Sequence, residues 1–192
     1  PGVVCVAHVE TASGILLPDD YLRRIGEAVR AVNGVFVVDC VASGAVWLDM
    51  PELNIDVLLS APQKGWSASP CAALVMLSER GRERVESTQS TSFACDLRKW
   101  LEVMGAYERG GHMYHATLPT DALAQLRDAL VESRRLSLST LRNAQWQLGQ
   151  RIRATLEGAG FASVAAEGFK APSVVVSYTQ DSDLASGKKL RD

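Results

Sequence analysis

No apolar run in the sequence approaches the ~20 residues that a membrane-spanning helix needs, so a membrane protein is not expected. There is no basic excess. A net charge of -2 and the absence of a basic stripe argue against a nucleic-acid partner. Paired-cysteine motifs are also missing. Cys5, Cys40, Cys71 and Cys95 are spaced for neither a zinc site nor a small disulfide framework. Three of the four sit among apolar or small residues, which predicts buried free thiols. That favours a reducing compartment, and the cytoplasm is the expected location. Histidine is scarce, and no metal site is expected: His8 stands alone, and His112 and His115 flank Tyr114 without a carboxylate or cysteine arrangement nearby. G-x-G-x-x-G, P-loop and G-x-S-x-G motifs are absent. The chain has no initiator Met. It begins at Pro1-Gly2 before a strand-like run, and residues 188–192 look like the start of a helix. The expectation is a piece of a longer protein.

What is present is ordinary globular material. The 192 residues are 47% apolar and 22% charged, enough for a real core. Continuous apolar runs at residues 3–9, 35–38, 56–61 and 72–77 are bounded by Gly, Pro, Asn or Asp. They do not alternate with polar residues, which predicts strands buried on both faces of a parallel or mixed sheet. Residues 18–33 place Tyr21, Leu22, Ile25, Val29 and Val32 at helical spacing, with Pro18 in the first turn and Gly34 just past the end. A strand–helix–strand order of this kind predicts a right-handed crossover.

Further on, residues 78–86 and 96–109 read as helices. Pro119 opens a long helical stretch, in phase at Leu123, Leu126 and Leu130, that continues near residues 136–156 and closes at Gly158 and Gly160. Residues 161–165 and 173–178 resemble strands of a second, smaller unit, which puts a boundary near residue 135. The arginine-rich stretches 80–84 and 134–135 read as solvated helix faces.

Chemistry concentrates in the loops after the predicted strands, where open α/β sheets bind ligands. The three clusters are residues 8–14, 38–43 and 60–65. Asp39 ends an apolar strand, and a carboxylate there is costly to bury without a cation or strong donors. A pyridinium N–H is such a partner; a cap on the following loop is the plainer reading. Lys64 follows another strand, between small residues. Held among apolar groups near a cationic ring, its amine would become neutral and nucleophilic; a surface lysine is the plainer reading. His8 could stack on a ring or bind a metal; packing with its ring nitrogens satisfied is the plainer reading, since no second His lies at ligand spacing.

Taken together, the motifs resemble the class V aminotransferases of pyridoxal-phosphate (PLP) fold-type I, above all the alanine-glyoxylate and serine-pyruvate group. His8-x-Glu10-Thr11-x-Ser13-Gly14 is similar to that group's H-x-E-[ST]-x-[ST]-G. Val38-Asp39-x-Val41-x-Ser43 is similar to its V-D-x-V-x-S, and Gln63-Lys64 to the end of its S-x-x-Q-K. Tyr114-His115-x-Thr117-x-Pro119 is similar to its Y-H-x-T-x-P. Each motif is weak alone, but four in order are specific. The resemblance implies a three-layer fold-type I large domain with a mainly parallel sheet at residues 1–135. Residues 136–192 would begin a smaller α+β C-terminal domain.

The resemblance also implies roles. Lys64 would be the Schiff-base lysine and would move a proton between the substrate Cα and C4′ of PLP. Asp39 would pair with the pyridine nitrogen, Val41 pack on a ring face, Thr11 bond near the ring hydroxyl, and Gln63 contact the phosphate. Tyr114 and Thr117 would reach the phosphate of a neighbouring subunit, so a homodimer with shared sites is expected. The implied reaction moves an amino group from an alanine- or serine-type donor to a glyoxylate- or pyruvate-type 2-oxo acid. A cysteine desulfurase or lyase on the same fold, or a non-catalytic fragment, are the alternatives. Pro62 stands where the family often has a hydroxyl residue. The family's N-terminal glycine-rich phosphate loop and stacking aromatic have no counterpart here. Its carboxylate-gripping arginine is expected beyond Asp192, so Arg191 is not assigned that role.

Overall fold

A computed structural model describes residues 2–187; the expected helix start at 188–192 lies outside the described residues. Four strands form one sheet in the order β1 (Val3–Ala7), β4 (Val35–Asp39), β5 (Val57–Ser60), β6 (Leu74–Leu77). β1 runs parallel to β4, from Val3 opposite Val35 to Ala7 opposite Asp39. β4 runs parallel to β5, with Asp39 opposite Leu59, and β6 is antiparallel to β5. The two-residue strands β2 (Val9–Glu10) and β3 (Ile15–Leu16) form a small separate ladder.

Helix α1 (Asp19–Ala31) connects β1 to β4 and covers one sheet face. Asp19 and Asp20 lie in its first turn, where negative charge favours the helix dipole. Its Leu22 and Val29 pack with Phe36, Val38, Leu53, Ile55 and Leu58 in the main core. Full burial of each of these large side chains contributes about 1.5–3 kcal/mol. Along β4 burial alternates: Phe36 and Val38 are buried, while Val35, Val37 and Asp39 on the other face are half-buried.

Burial on both faces does not hold for β1. It is the sheet's edge among the described residues, and Val3 is 66% exposed. Cys5 is exposed with it, and Cys95, in the loop before α3 (Leu97–Glu108), is exposed too. Cys40 is buried and Cys71 half-buried, so the expectation of buried thiols fails at Cys5 and Cys95. All four thiols are free.

Helices α2 (Glu79–Glu86) and α3 start at side-chain caps. Ser78 Oγ accepts from Gly81 N–H at the start of α2, and the Asp96 carboxylate accepts from Arg98 and Lys99 N–H ahead of α3. The long C-terminal helical stretch is broken in two: α4 (Thr120–Leu136) and α5 (Leu138–Gly158) meet at Ser137, with φ of 66°. There Ser137 Oγ accepts from Thr140 N–H and starts α5. The predicted strands at 161–165 and 173–178 do meet, but through one isolated bridge, Ser163 to Ser177. Val164 N–H donates to Val176 O and Tyr178 N–H to Ala162 O, without a further ladder. The short helix α6 (Ser182–Ala185) follows. Among the described residues no helix is long and apolar enough to cross a membrane.

Candidate active site

The parallel pairing of β1, β4 and β5 brings three chain segments to one edge of the sheet. Because Ala7 lies opposite Asp39, and Asp39 opposite Leu59, the loops after these strands start side by side. Neighbouring strands are ~4.8 Å apart, so groups at these ends fall within reach of one small ligand.

The first loop is shaped by Glu10. Its carboxylate accepts from Ala12 N–H and Ser13 N–H, each at 2.8 Å, and from Ser13 Oγ. These bonds, the Ser13 hydroxyl first, lower the Glu10 pKa. The turn holds Thr11 exposed at its tip.

The second loop starts at Asp39, whose Oδ1 accepts from Val41 N–H at 2.8 Å. Oδ2 makes no hydrogen bond among the described residues. His8 ties the first loop to the second: its backbone N–H donates to Asp39 O, and its Nδ1 shares a 2.7 Å hydrogen bond with Ser43 Oγ. The imidazole is 1% exposed. Burial, and then the charge of Arg142, lower its pKa to about 4, so it is neutral near pH 7. The ring is packed away from solvent, but only Nδ1 is satisfied, against the expectation that both ring nitrogens would be; Nε2 is buried without a partner among the described residues. Beside Asp39, burial pushes the Cys40 thiol up to about 12, which makes it a packing group and not a nucleophile.

The third loop carries Gln63 and Lys64, both exposed. The expected apolar shielding of the Lys64 amine is therefore absent within this chain. Lys64 is nevertheless unusual. Of the three lysines among the described residues, Lys99 pairs with Glu102, and Lys170 with Glu157 and Glu167. Only Lys64 has no carboxylate partner among them. Ser67 N–H donates to Lys64 O and Ala68 N–H to Pro62 O, so the loop is a closed turn. At Gly65 a Cβ would lie 2.0 Å from Gly44 O, which makes glycine obligatory where the third loop crosses the second.

Tyr114 and Thr117 sit apart from these loops. Their hydroxyls lie 3.3 Å from each other and the Tyr114 ring is 77% exposed. Sequence reasoning missed Trp47 and Trp66, whose rings stack across the second and third loops at 4.2 Å. It also missed the clamp on the second loop's far side, where Ser173 Oγ donates to Ala42 O and Gln145 Nε2 to Pro172 O. Neither has a local sequence signature, since each joins distant segments.

An unsatisfied carboxylate oxygen on Asp39 and an unpaired amine on Lys64 fit a ligand bearing a cationic N–H and an electrophilic carbon. PLP is such a ligand. The fold is that of about half of a fold-type I PLP aminotransferase. An alanine–glyoxylate aminotransferase from Nostoc superposes on the whole chain with a TM-score of 0.86 at 24% identity, over 50% of its own length. A pyridoxamine-pyruvate aminotransferase from Mesorhizobium loti gives 0.81 at 22% identity over 94% of this chain and 45% of its own.

The chain belongs to the class-V aminotransferase family, whose description, Aminotransferase class-V, matches residues 1–186. It is 32% identical over 161 residues to an alanine–glyoxylate aminotransferase of Callithrix jacchus, covering 82% of this chain and 37% of that protein. It is 29% identical over 174 residues to a 2-aminoethylphosphonate–pyruvate transaminase of Syntrophobacter fumaroxidans, covering 89% of this chain and 45% of that protein. The chain thus spans half or less of the length of these relatives.

Proposed function

We propose that this chain carries the lysine-bearing part of the active site of a PLP-dependent aminotransferase. The full protein moves an amino group from an alanine- or serine-type donor to a glyoxylate- or pyruvate-type 2-oxo acid. The observation that carries the reading is the meeting of Asp39 and the Lys64 loop at adjacent strand ends, with Lys64 unpaired. Family membership and the relatives' names support the reaction class.

Bound PLP supplies an electron sink for the pair of electrons left when a substrate Cα–H bond breaks. The rest falls to the protein. Asp39 would hold the ring nitrogen through Oδ2 and keep it protonated. Val41 would pack on the ring, Thr11 would bond near the ring hydroxyl, and Gln63 would contact the phosphate. Lys64 would hold the cofactor through its amine and would move the proton of the substrate Cα. Glu10, by fixing the 11–13 turn, orients Thr11.

Tyr114 and Thr117 serve the phosphate of a second subunit, in a homodimer. Their exposure supports this, as does that of Phe93 and Tyr107 nearby in sequence. The large domain ends near residue 135, and the break at Ser137 supports that boundary. The four free thiols support a cytoplasmic location.

The test uses the complete gene product with added PLP. Wild type should develop the visible absorption of lysine-bound cofactor, and Lys64→Ala should not. Alanine or serine with glyoxylate should then yield the 2-oxo acid of the donor. An identical spectrum in both proteins would refute the reading, and sulfide release from cysteine would favour a desulfurase.

A further inference from the structure

Among the described residues the Lys64 amine has no ion pair to hold it in place, yet its task requires a fixed distance from Asp39. The loop around it is tied at two points: further along, Ser69 Oγ donates to Gln125 Oε1 at 2.7 Å, and nearer the lysine lies Trp66. Trp66 Nε1–H donates to Ser60 Oγ at 3.0 Å, tying the loop to the end of β5. The Trp66 ring lies on Trp47 at 4.2 Å between centroids, with the planes tilted by 31°. Trp47 belongs to the loop that begins at Asp39. Beneath the stack, Gly65 touches the Gly44 carbonyl so closely that no side chain fits between the loops. Ser67, with φ of 55°, turns the chain sharply right after Trp66.

We propose that Trp66 is a positioning residue for Lys64, acting through Trp47 to lock the lysine loop against the Asp39 loop. This rests on the assignment of Lys64 as the cofactor lysine. Two indole rings in contact bury a large apolar area, and each ring has only two rotatable bonds to fix. The stack therefore holds the loop at low entropic cost. Trp47 and Trp66 contribute no group to the reaction itself. They set how often the Lys64 amine is found where the cofactor carbonyl arrives, and later where the substrate Cα lies. Misplacement of a reacting group by about 1 Å can cost roughly 100-fold in rate.

The experiment uses the full-length protein, with PLP as the probe. Trp66→Ala removes the stack and the Ser60 bond; Trp66→Phe keeps a ring but loses the bond. Trp47→Ala and the double alanine variant complete a cycle. Three quantities are read: the rate of covalent PLP capture from the visible band, the pH midpoint of that band, and kcat against KM. Trp66→Ala should slow capture by about tenfold or more and shift the midpoint. It should lower kcat far more than it changes KM. Trp66→Phe should recover most of the capture rate. Trp47→Ala should show most of the Trp66→Ala effect without the loss of the Ser60 bond, and the double variant should add little to Trp66→Ala, because the stack is already gone.

A Trp66→Ala protein that captures PLP at the wild-type rate, with an unmoved midpoint, overturns the proposal. So does full additivity in the cycle. The Lys64 assignment is judged separately: if Lys64→Ala still captures PLP covalently, that reading falls first. If Trp66→Ala does not fold, as judged by circular dichroism, Trp47→Ala decides. A capture rate well below wild type in Trp47→Ala supports the proposal, and an unchanged rate and midpoint there overturn it.

Discussion

The two edges of the sheet treat charge in opposite ways. At the amino edge, Asp56 is 1% exposed and nearly closed on itself. Its Oδ2 accepts from Phe36 N–H at 2.8 Å and from Arg80 Nη1 at 2.6 Å. Arg80 Nη2 donates onward to Gly34 O, Arg84 holds Asn33, and Asp56 O accepts from Ser78 N–H. Only Oδ1 of Asp56 lacks a partner. At the carboxyl edge, Asp39 has one oxygen engaged, Lys64 has no ion pair, and Thr11 stands exposed at a turn tip. A charge committed to other protein groups stabilises the fold but cannot act on a ligand. A charge left open contributes little stability and can act. The same residue types, Asp and a cation, thus form a tie at one edge, while at the other they are the pair proposed to hold the cofactor.

Variants at the two edges should therefore fail differently. Asp56→Ala strands Arg80 against a half-buried surface and should cost about 3–5 kcal/mol. For a chain of this size that lowers Tm by roughly 10 °C in a thermal melt. PLP capture by the surviving folded protein should remain near normal. A melt unchanged from wild type would show that the amino-edge network is not a structural tie.

Asp39→Ala should do the reverse. Its effect on Tm should be small, because only the Val41 bond is lost. PLP capture should persist through Lys64, while turnover falls roughly 100–1,000-fold for want of the carboxylate at the ring nitrogen. Near-normal turnover would remove Asp39 from the mechanism.

His8 blurs the contrast, since it lies at the carboxyl edge yet is fully enclosed. Its pKa is lowered in the folded state from 6.5 to about 4. The unfolded chain binds a proton there below pH 6.5, and the folded chain does not until about pH 4. Stability from this site is thus fully present above pH 6.5 and lost as pH falls, by about 2–3 kcal/mol at pH 4.5. Urea midpoints at pH 7.5 and 4.5 should differ less in His8→Gln than in wild type. Equal pH dependence in the two would refute the assignment.

Much of the carboxyl edge was legible in the sequence, because its chemistry sits in short motifs. Asp39, Lys64 and Thr11 each follow an apolar run, and parallel pairing aligns the ends of such runs without further information. The caps Ser78 and Asp96 are local signals, and α2 and α3 start where these residues predict. The amino edge was not legible. Arg80 reads as part of a solvated helix face, but it meets Asp56, which is 24 residues away. The two faces of β1 could not be told apart either, since a continuous apolar run looks the same on an edge strand and in the sheet interior. At Ser137 the leucine phase runs through the break, and only a positive φ interrupts the helix. The Trp47–Trp66 stack and the His8–Ser43 bond join segments that only folding brings together.

The central claim is that the open charge at the carboxyl edge belongs to a cofactor lysine. Incubation of the full-length protein with PLP, borohydride fixation, digestion and mass mapping of the modified peptide test it most directly. Stoichiometric modification of Lys64 is expected, with Lys99 and Lys170 unmodified because carboxylates hold both. A stable adduct on another lysine, or none on Lys64, would contradict it.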